Sequence, residues 1–391
     1  MGAGLLGLCP IGASAKGDGF ASLYVEDGDE KLLYEGQLPP GSAVQSNAFE
    51  RALAAAHERY LSEWGGLPAV RIPAGADMKL GSSGARVGLL RKRLGLAPGN
   101  QFDAIVAERV RLFRQMHGLS DAARVDRAML AALAKGPSHH ARILKRNLDH
   151  AGELPAYLGY RYVHVDLTNQ RLQMIEDGRV IDEMAVVAGK PTSQTPVMAG
   201  LLRHAVFSPY WNVPPDLVRE SYARRIINGG KAYLARTGFE VLSDFTEDAR
   251  VIPASSVDWH AVERGEITAR LRQKPGPGNG MGAMKFMFPN ALGIYLHDTP
   301  SKRLFGKSER LFSAGCVRVE RPKDFAAWLY NGAVPLASGA PEQVEEFAFP
   351  VPIYITHFTA SVAANSGGQQ ITFRDDIYGY DNRSLAQHSG S

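Results

Sequence analysis

Apolar positions recur along this chain with two different periods, and the change falls near residue 160. Before it the spacing is helical. A helix is predicted from Ser46 to about Trp64, whose run AFERALAAAHERYLSEW sets Leu53, Ala56 and Tyr60 near one face; Gly65-Gly66 ends it. Val87, Leu90 and Leu94 repeat the spacing. So do Val106, Val110 and Phe113, after an Asp103 placed to cap a helix. A third short helix is predicted from Asp126 through Leu133. Beyond Tyr160 the run RYVHVDLTNQRLQMIEDGRVIDEMAVVAGK is rich in β-branched and aromatic residues. Breaks at Asn169-Gln170 and Asp177-Gly178 make it read as successive antiparallel strands. Pro191 and Thr195-Pro196 mark a loop.

The strand pattern lapses over residues 213–273. Pro214-Pro215 precedes a helix predicted from Leu217 to Ile227, ended by Gly229-Gly230; polar, irregular sequence follows to Gln273. Strand character returns in FMFPNALGIYLHDTP, with a turn at Pro289-Asn290 and a short strand from Ala291 to His297. A helix starting near Pro322 turns Phe325, Trp328 and Leu329 inward. PVPIYITHFT, at 350–359, is a further strand; Gly367-Gly368 makes a hairpin loop before QITFRD, and a weakly ordered tail begins at about Tyr378.

Composition narrows the class without naming a function. A chain of 391 residues suggests roughly two or three domains, and 45% hydrophobic with 21% charged residues fits a folded globular protein. The net charge of +4, from 44 basic and 40 acidic side chains, comes with no dense Lys/Arg stripe, so no nucleic-acid partner is expected. Residues 1–15 are apolar and Ala13-Ser14-Ala15 resembles a signal-cleavage site, yet no basic stretch precedes them and Pro10 shortens the apolar run. A loose tail and a degenerate or truncated export signal are both open. No membrane span is expected, because no run reaches about 18 apolar residues. Neither a metal-ligand motif nor a dinucleotide fingerprint is present, so no cofactor and no metal are expected.

The chemistry concentrates in YLHDTPSKRLFGKSERLFSAGCVR, residues 295–318. Cys9 and Cys316 are the two cysteines, too few for a disulfide framework. His297 stands at the end of a strand-like run nineteen positions before Cys316. An imidazole beside a thiol makes a thiolate nucleophile, which points to acyl transfer through a thioester. A bridge to Cys9 is rejected because it consumes that nucleophile. Gly315 allows close backbone approach, and N–H groups around Gly315 and Cys316 could hold an oxyanion. Tyr295, on the same strand face as His297, either supports the oxyanion or packs. Ser313 supports the turn by hydrogen bonding. Arg318 binds a substrate carboxylate or braces Glu320 or the 213–273 segment. Trp211, in VFSPYWNVP, lines the cleft or anchors that segment.

This signature resembles that of the L,D-transpeptidases, the YkuD family, with an upstream histidine and a [Ser/Thr]-x-Gly-Cys motif. Ala314 stands where many relatives have histidine. VVAGKPTSQTPVMAG at 186–200, VFSPYWNVP at 206–214 and KPGPGNGMGAMKFMFPNALGIYLHDTP at 274–300 resemble the larger branch, which carries an inserted lid and a peptidoglycan-binding module. Gly81, Gly84, Val87, Leu90, Phe102, Asp103, Phe113, Gln115, Gly118 and Leu119 match that module. The resemblance implies a mainly β catalytic domain over 158–360 with an α-containing lid at 213–273. It also implies an all-α module over 80–135, a tail and helical segment over 1–79, and a C-terminal hairpin and tail over 361–391. It implies Cys316 as nucleophile, His297 as base, and Asp298 orienting the ring through its backbone carbonyl, its carboxylate a further contributor. The implied partners are peptidoglycan tetrapeptide stems, as donor and acceptor of a 3→3 cross-link, in the periplasm or cell envelope. Water as acceptor would make the same site an L,D-carboxypeptidase; a non-catalytic wall-binding scaffold is the non-enzymatic alternative.

Overall fold

A computed structural model describes residues 24–25, 33, 46–363 and 370–381. Cys9, the 1–15 segment and Gly367-Gly368 therefore lie outside the described residues. The chain forms two compact units, one holding residues 1–37 and 158–356, the other 38–157 and 357–391.

The second unit is helical: α1 (Ala48–Tyr60), α2 (Ala85–Arg93), α3 (Ala104–Met116), α4 (Arg127–Lys135) and α5 (Pro137–Gly152). Asn47, Asp103 and Asp126 cap α1, α3 and α4, each accepting a first-turn N–H on its side chain. Leu53, Ala56 and Tyr60 are buried as their spacing required. Asn47 also donates to the Ala151 carbonyl at 2.7 Å, tying α1 to α5. Helix α5 had no counterpart in the pattern reading; its signals are Pro137 at the first turn and Leu144 and Ala151 on one face. The C-terminal strand pair Ala360–Val362 and Ile371–Phe373 belongs to this unit. The weakly ordered tail expected from Tyr378 is corrected at its start. Tyr378 and Tyr380 are buried, their rings 5.4 and 4.7 Å from that of His357.

The first unit is built on strands β1 (Arg161–Asp166), β2 (Arg171–Glu176), β3 (Arg179–Gly189) and β4 (Met198–Phe207), as the alternation beyond Tyr160 predicts. Asp177 and Gly178 both take positive φ, 48° and 69°, which makes the two-residue turn between β2 and β3. An insertion then leaves the sheet: β5 (Trp211–Val213), a π turn at Val218–Tyr222, α6 (Ala223–Thr237), β6 (Phe239–Leu242), β7 (Val251–Ile252), α7 (Trp259–Arg264) and β8 (Arg270–Gln273). The main sheet resumes with β9 (Met284–Met287), β10 (Leu296–His297), β11 (Leu311–Ser313) and β12 (Val317–Val319). Helix α8 (Pro322–Leu329) and β13 (Gln343–Thr356) complete the unit. Strand β13 pairs parallel with β1 and antiparallel with β4, so the path β4-β9-β10-β12-β3-β2-β1-β13 closes on itself. Its register shifts between Glu346 and Val351, where Pro350 has no N–H for a ladder. In α8 Phe325 and Leu329 are buried, while Trp328 is half-buried with the Arg161 guanidinium 4.0 Å over its ring.

The helix expected to end at Gly229-Gly230 does break there, at Gly230 (φ 53°, ψ −147°); a second helical stretch, which was not expected, continues α6 to Thr237 and stops at Gly238 in the left-handed conformation. Two expectations about this unit are corrected. The polar stretch to Gln273 is not irregular, because β7-β6-β8-β5 form an antiparallel sheet. That sheet shares a core of Val213, Val218, Ile226, Phe239, Val241, Trp259 and Leu271 with α6 and α7. Strands this short carry too few positions for alternation to emerge from polar surroundings. The strand expected over Ala291–His297 shrinks to Leu296–His297. Asn290 curls the preceding loop, donating to the Phe288 and Ile294 carbonyls at 2.7 and 2.8 Å and accepting the Ile294 N–H at 3.0 Å.

Because the insertion has its own core, Leu271 (0% exposed) anchors it. Leu271→Ala should lower unfolding stability by about 2–5 kcal/mol, read from the urea midpoint. A loss under about 1 kcal/mol would show that the insertion does not rest on this core.

Candidate active site

Strand pairing brings the chemistry together. Leu296 is in register with Val317 and His297 with Arg318, and the Val317 N–H donates to the Tyr295 carbonyl at 3.1 Å. Side chains two apart share a strand face. Tyr295 and His297 on one strand, and Cys316 and Arg318 on the next, all line one cavity of about 410 Å³. Tyr295, Met281 and Cys316 pack in one buried cluster, and the Tyr295 and His297 rings lie 5.8 Å apart.

His297 is buried, and its Nδ1 lies 2.6 Å from the Asp298 carbonyl oxygen. A carbonyl only accepts, so Nδ1 carries the proton and Nε2 the lone pair. Burial, and then the charge of Arg318, push the imidazole down from 6.5 to about 3. At neutral pH the ring is an uncharged base. The Asp298 carboxylate is occupied elsewhere. It accepts from the Ala283 and Thr299 N–H groups at 2.8 and 2.7 Å and pairs with Lys302 Nζ at 2.7 Å. Gly282 (φ 64°) lets that carboxylate in, since a Cβ there would sit 2.3 Å from it.

Cys316 is buried, with Sγ 3.8 Å from the Gly293 carbonyl. The turn before it is tightly held. Gly315 takes φ 125°, a conformation that favours glycine, and its N–H donates to Ser313 Oγ at 3.2 Å. Its carbonyl accepts from Thr195 Oγ1 at 2.6 Å, while the same hydroxyl accepts the Gly189 N–H at 2.9 Å. Thr195 thus pins the turn before Cys316 to the end of β3, a role its place in a Pro-marked loop did not disclose. The Gly315 N–H, one of the donors expected to face an oxyanion, is engaged with Ser313. Ala314 is exposed.

Arg318 is half-buried; its Nε is enclosed without a hydrogen-bond partner, and its charge attracts a thiolate at Cys316. The insertion adds to the lining: Trp211, Leu217, Tyr222, Arg225, Tyr233 and Phe239 line the same cavity. Trp211 is fixed by Tyr222 and Phe239, with ring centroids 5.9 and 6.1 Å away, and by Gly280, where a Cβ would lie 2.6 Å from the indole. Tyr222 and Arg225 were not singled out as site residues in the sequence, because their only signal is a place on a helix of then unknown orientation. Among the described residues, no group of three or more His, Cys, Asp or Glu could hold a metal ion, and no helix is long and apolar enough to cross a membrane.

Residues 160–353 match the family model of the L,D-transpeptidase catalytic domain, YkuD. A Haemophilus influenzae protein provisionally named an L,D-transpeptidase is 30% identical over 231 residues, 56% of this chain and 44% of that protein. The matched part thus spans less than half of that curated relative's length. Solved structures also align. The Enterococcus faecium L,D-transpeptidase catalytic domain acylated by ertapenem is 15% identical (TM-score 0.26), covering 51% of this chain and 99% of that one. An L,D-transpeptidase from Mycobacterium smegmatis is 17% identical (TM-score 0.24), covering 51% and 59%. Scores this low carry no argument; the family model does. Through residues 160–353 the chain belongs to the YkuD family of L,D-transpeptidase catalytic domains.

Proposed function

We propose that the protein forms 3→3 cross-links between peptidoglycan stem peptides through a thioester on Cys316. The observation that carries the reading is one cavity holding both Cys316 and a neutral His297 whose tautomer is set by the Asp298 carbonyl. His297 Nε2 takes the thiol proton. The thiolate attacks the carbonyl of the third residue of a donor tetrapeptide. The C–N bond to the terminal D-amino acid breaks, and His297 returns its proton to that leaving amine. A side-chain amine of a second stem then attacks the thioester and gives its proton to His297, and Cys316 is released. Arg318 favours the thiolate over the thiol and meets a substrate carboxylate; the Tyr295 phenol faces the developing oxyanion. The insertion serves as a lid that keeps water from the thioester, and the helices over 80–135 hold the wall polymer. The site of action is the cell envelope.

His297→Ala should slow acylation of Cys316 about 10²–10⁴-fold, measured in a single turnover with a tetrapeptide donor. Near-normal rates across the pH range would assign the proton transfer elsewhere. His297 also makes a pH prediction. Between 6.5 and about 3 the unfolded chain takes a proton that the folded imidazole refuses, so stability falls as pH drops through that window. From pH 7 to pH 5 the unaltered protein should lose about 2 kcal/mol more than His297→Gln, read from urea midpoints at the two pH values. Equal losses would mean the folded imidazole is not held neutral.

Shortening the insertion should lower the ratio of 3→3 dimer to tripeptide made from one tetrapeptide pool at saturating acceptor. Intact protein yielding only tripeptide over a broad acceptor range would replace transfer by hydrolysis. Dimer with an unchanged ratio after shortening would remove the water-excluding role and leave transfer standing.

A further inference from the structure

The insertion carries more than a cover. Four of its eight arginines are neutralised: Arg219 pairs with Asp216 and Glu220, Arg224 with Glu263, Arg264 with Glu266, and Arg272 with Glu240. Arg225, Arg236, Arg250 and Arg270 have no carboxylate partner among the described residues, and of these Arg225 lines the active-site cavity, its guanidinium 5.4 Å from the Tyr222 ring. The π turn Val218–Tyr222 immediately before α6 delivers Tyr222 to the same wall. Arg318 lines the same cavity, with its enclosed Nε unpartnered. Burial raises the Tyr222 phenol, with Tyr233 adding to the rise, and the charges of Arg225 and Arg318 both pull against it. The phenol therefore stands within electrostatic reach of both guanidiniums. Lys190 adds a third cation to the lining, and no described lining residue carries a carboxylate.

Cations without a carboxylate partner in one partly enclosed space attract an anion, and a planar guanidinium with a phenol beside it suits a carboxylate. We propose that Tyr222 and Arg225 form, with Arg318, a recognition subsite for a free carboxylate of the peptide substrate, so that the insertion sets specificity as well as covering the thioester. The inference rests on the acyl-transfer reading for its substrate, though not for its binding chemistry. Arg225 is a specificity-determining residue here and takes no part in proton transfer.

The test compares one stem peptide as its free acid with the same peptide converted, one carboxylate at a time, to the carboxamide. Binding is measured by calorimetry on the Cys316→Ala protein, and turnover on the protein with its thiol. One acid should be preferred over its amide in both assays. Arg225→Gln should cut that preference about tenfold, mainly through KM, and Arg225→Lys should restore part of it. Alkylation of Cys316 by iodoacetamide, a neutral reagent, checks that each turnover variant keeps a folded site. No acid preference in binding, or a preference that survives Arg225→Gln, overturns the proposal. Arg225-dependent acid binding without any peptide turnover would uphold the subsite and sink the acyl-transfer reading. Turnover without an Arg225-dependent ratio would do the reverse.

Discussion

Two residues of parallel pairing carry the site. Leu296 beside Val317 and His297 beside Arg318 put Tyr295, His297, Cys316 and Arg318 on one face of adjacent strands. A one-residue slip in either strand would turn that strand's reactive pair away and present Leu296 or Val317, both fully buried, to the cavity instead. So short a ladder cannot hold its own register. It is held from outside: by the Asn290 side chain closing the loop before β10, and by Thr195 gripping the Gly315 carbonyl before β12. The Asp298 carboxylate clamps the chain after His297 to Ala283 and Lys302. Thr195 and Asp298 are buried, and a buried polar group would cost about 1–3 kcal/mol if left unpaired.

The same burial tunes the chemistry. An imidazole stripped of water beside a guanidinium cannot stay protonated, so His297 is neutral. The neighbouring positive charge acts oppositely on the thiol, whose charged form is an anion that Arg318 attracts. The low-dielectric enclosure needed for both effects depends on the wall supplied by Trp211, Tyr222 and Phe239 from the insertion.

Much of this was legible in the chain. That Cys316 and His297 share one cavity could be read, because the proposed chemistry requires particular residue types in a compact motif. Asp103 announced its helix because a cap needs a short acceptor just before an apolar period. The β2–β3 turn announced itself because positive φ at successive positions selects Asp-Gly. What stayed hidden depends on tertiary partners. Thr195 looks like any loop threonine until Gly315 arrives from 120 residues away. Gly230 breaks the helix as the sequence reads it, but the second helical stretch beyond it, whose Leu234 joins Ile226 in the insertion core, gave no signal of its own. Arg225 reads as one of many surface arginines until its neighbours prove to be paired and it does not.

The most direct measurement is the mass of the acid-quenched protein after brief exposure to a tetrapeptide donor, with the modified residue mapped by proteolysis. The expected result is a single adduct on Cys316 equal to the donor less its terminal D-amino acid, absent from a folded Cys316→Ala protein. Continued turnover by that folded variant, or an adduct on any other side chain, would contradict a thioester at Cys316.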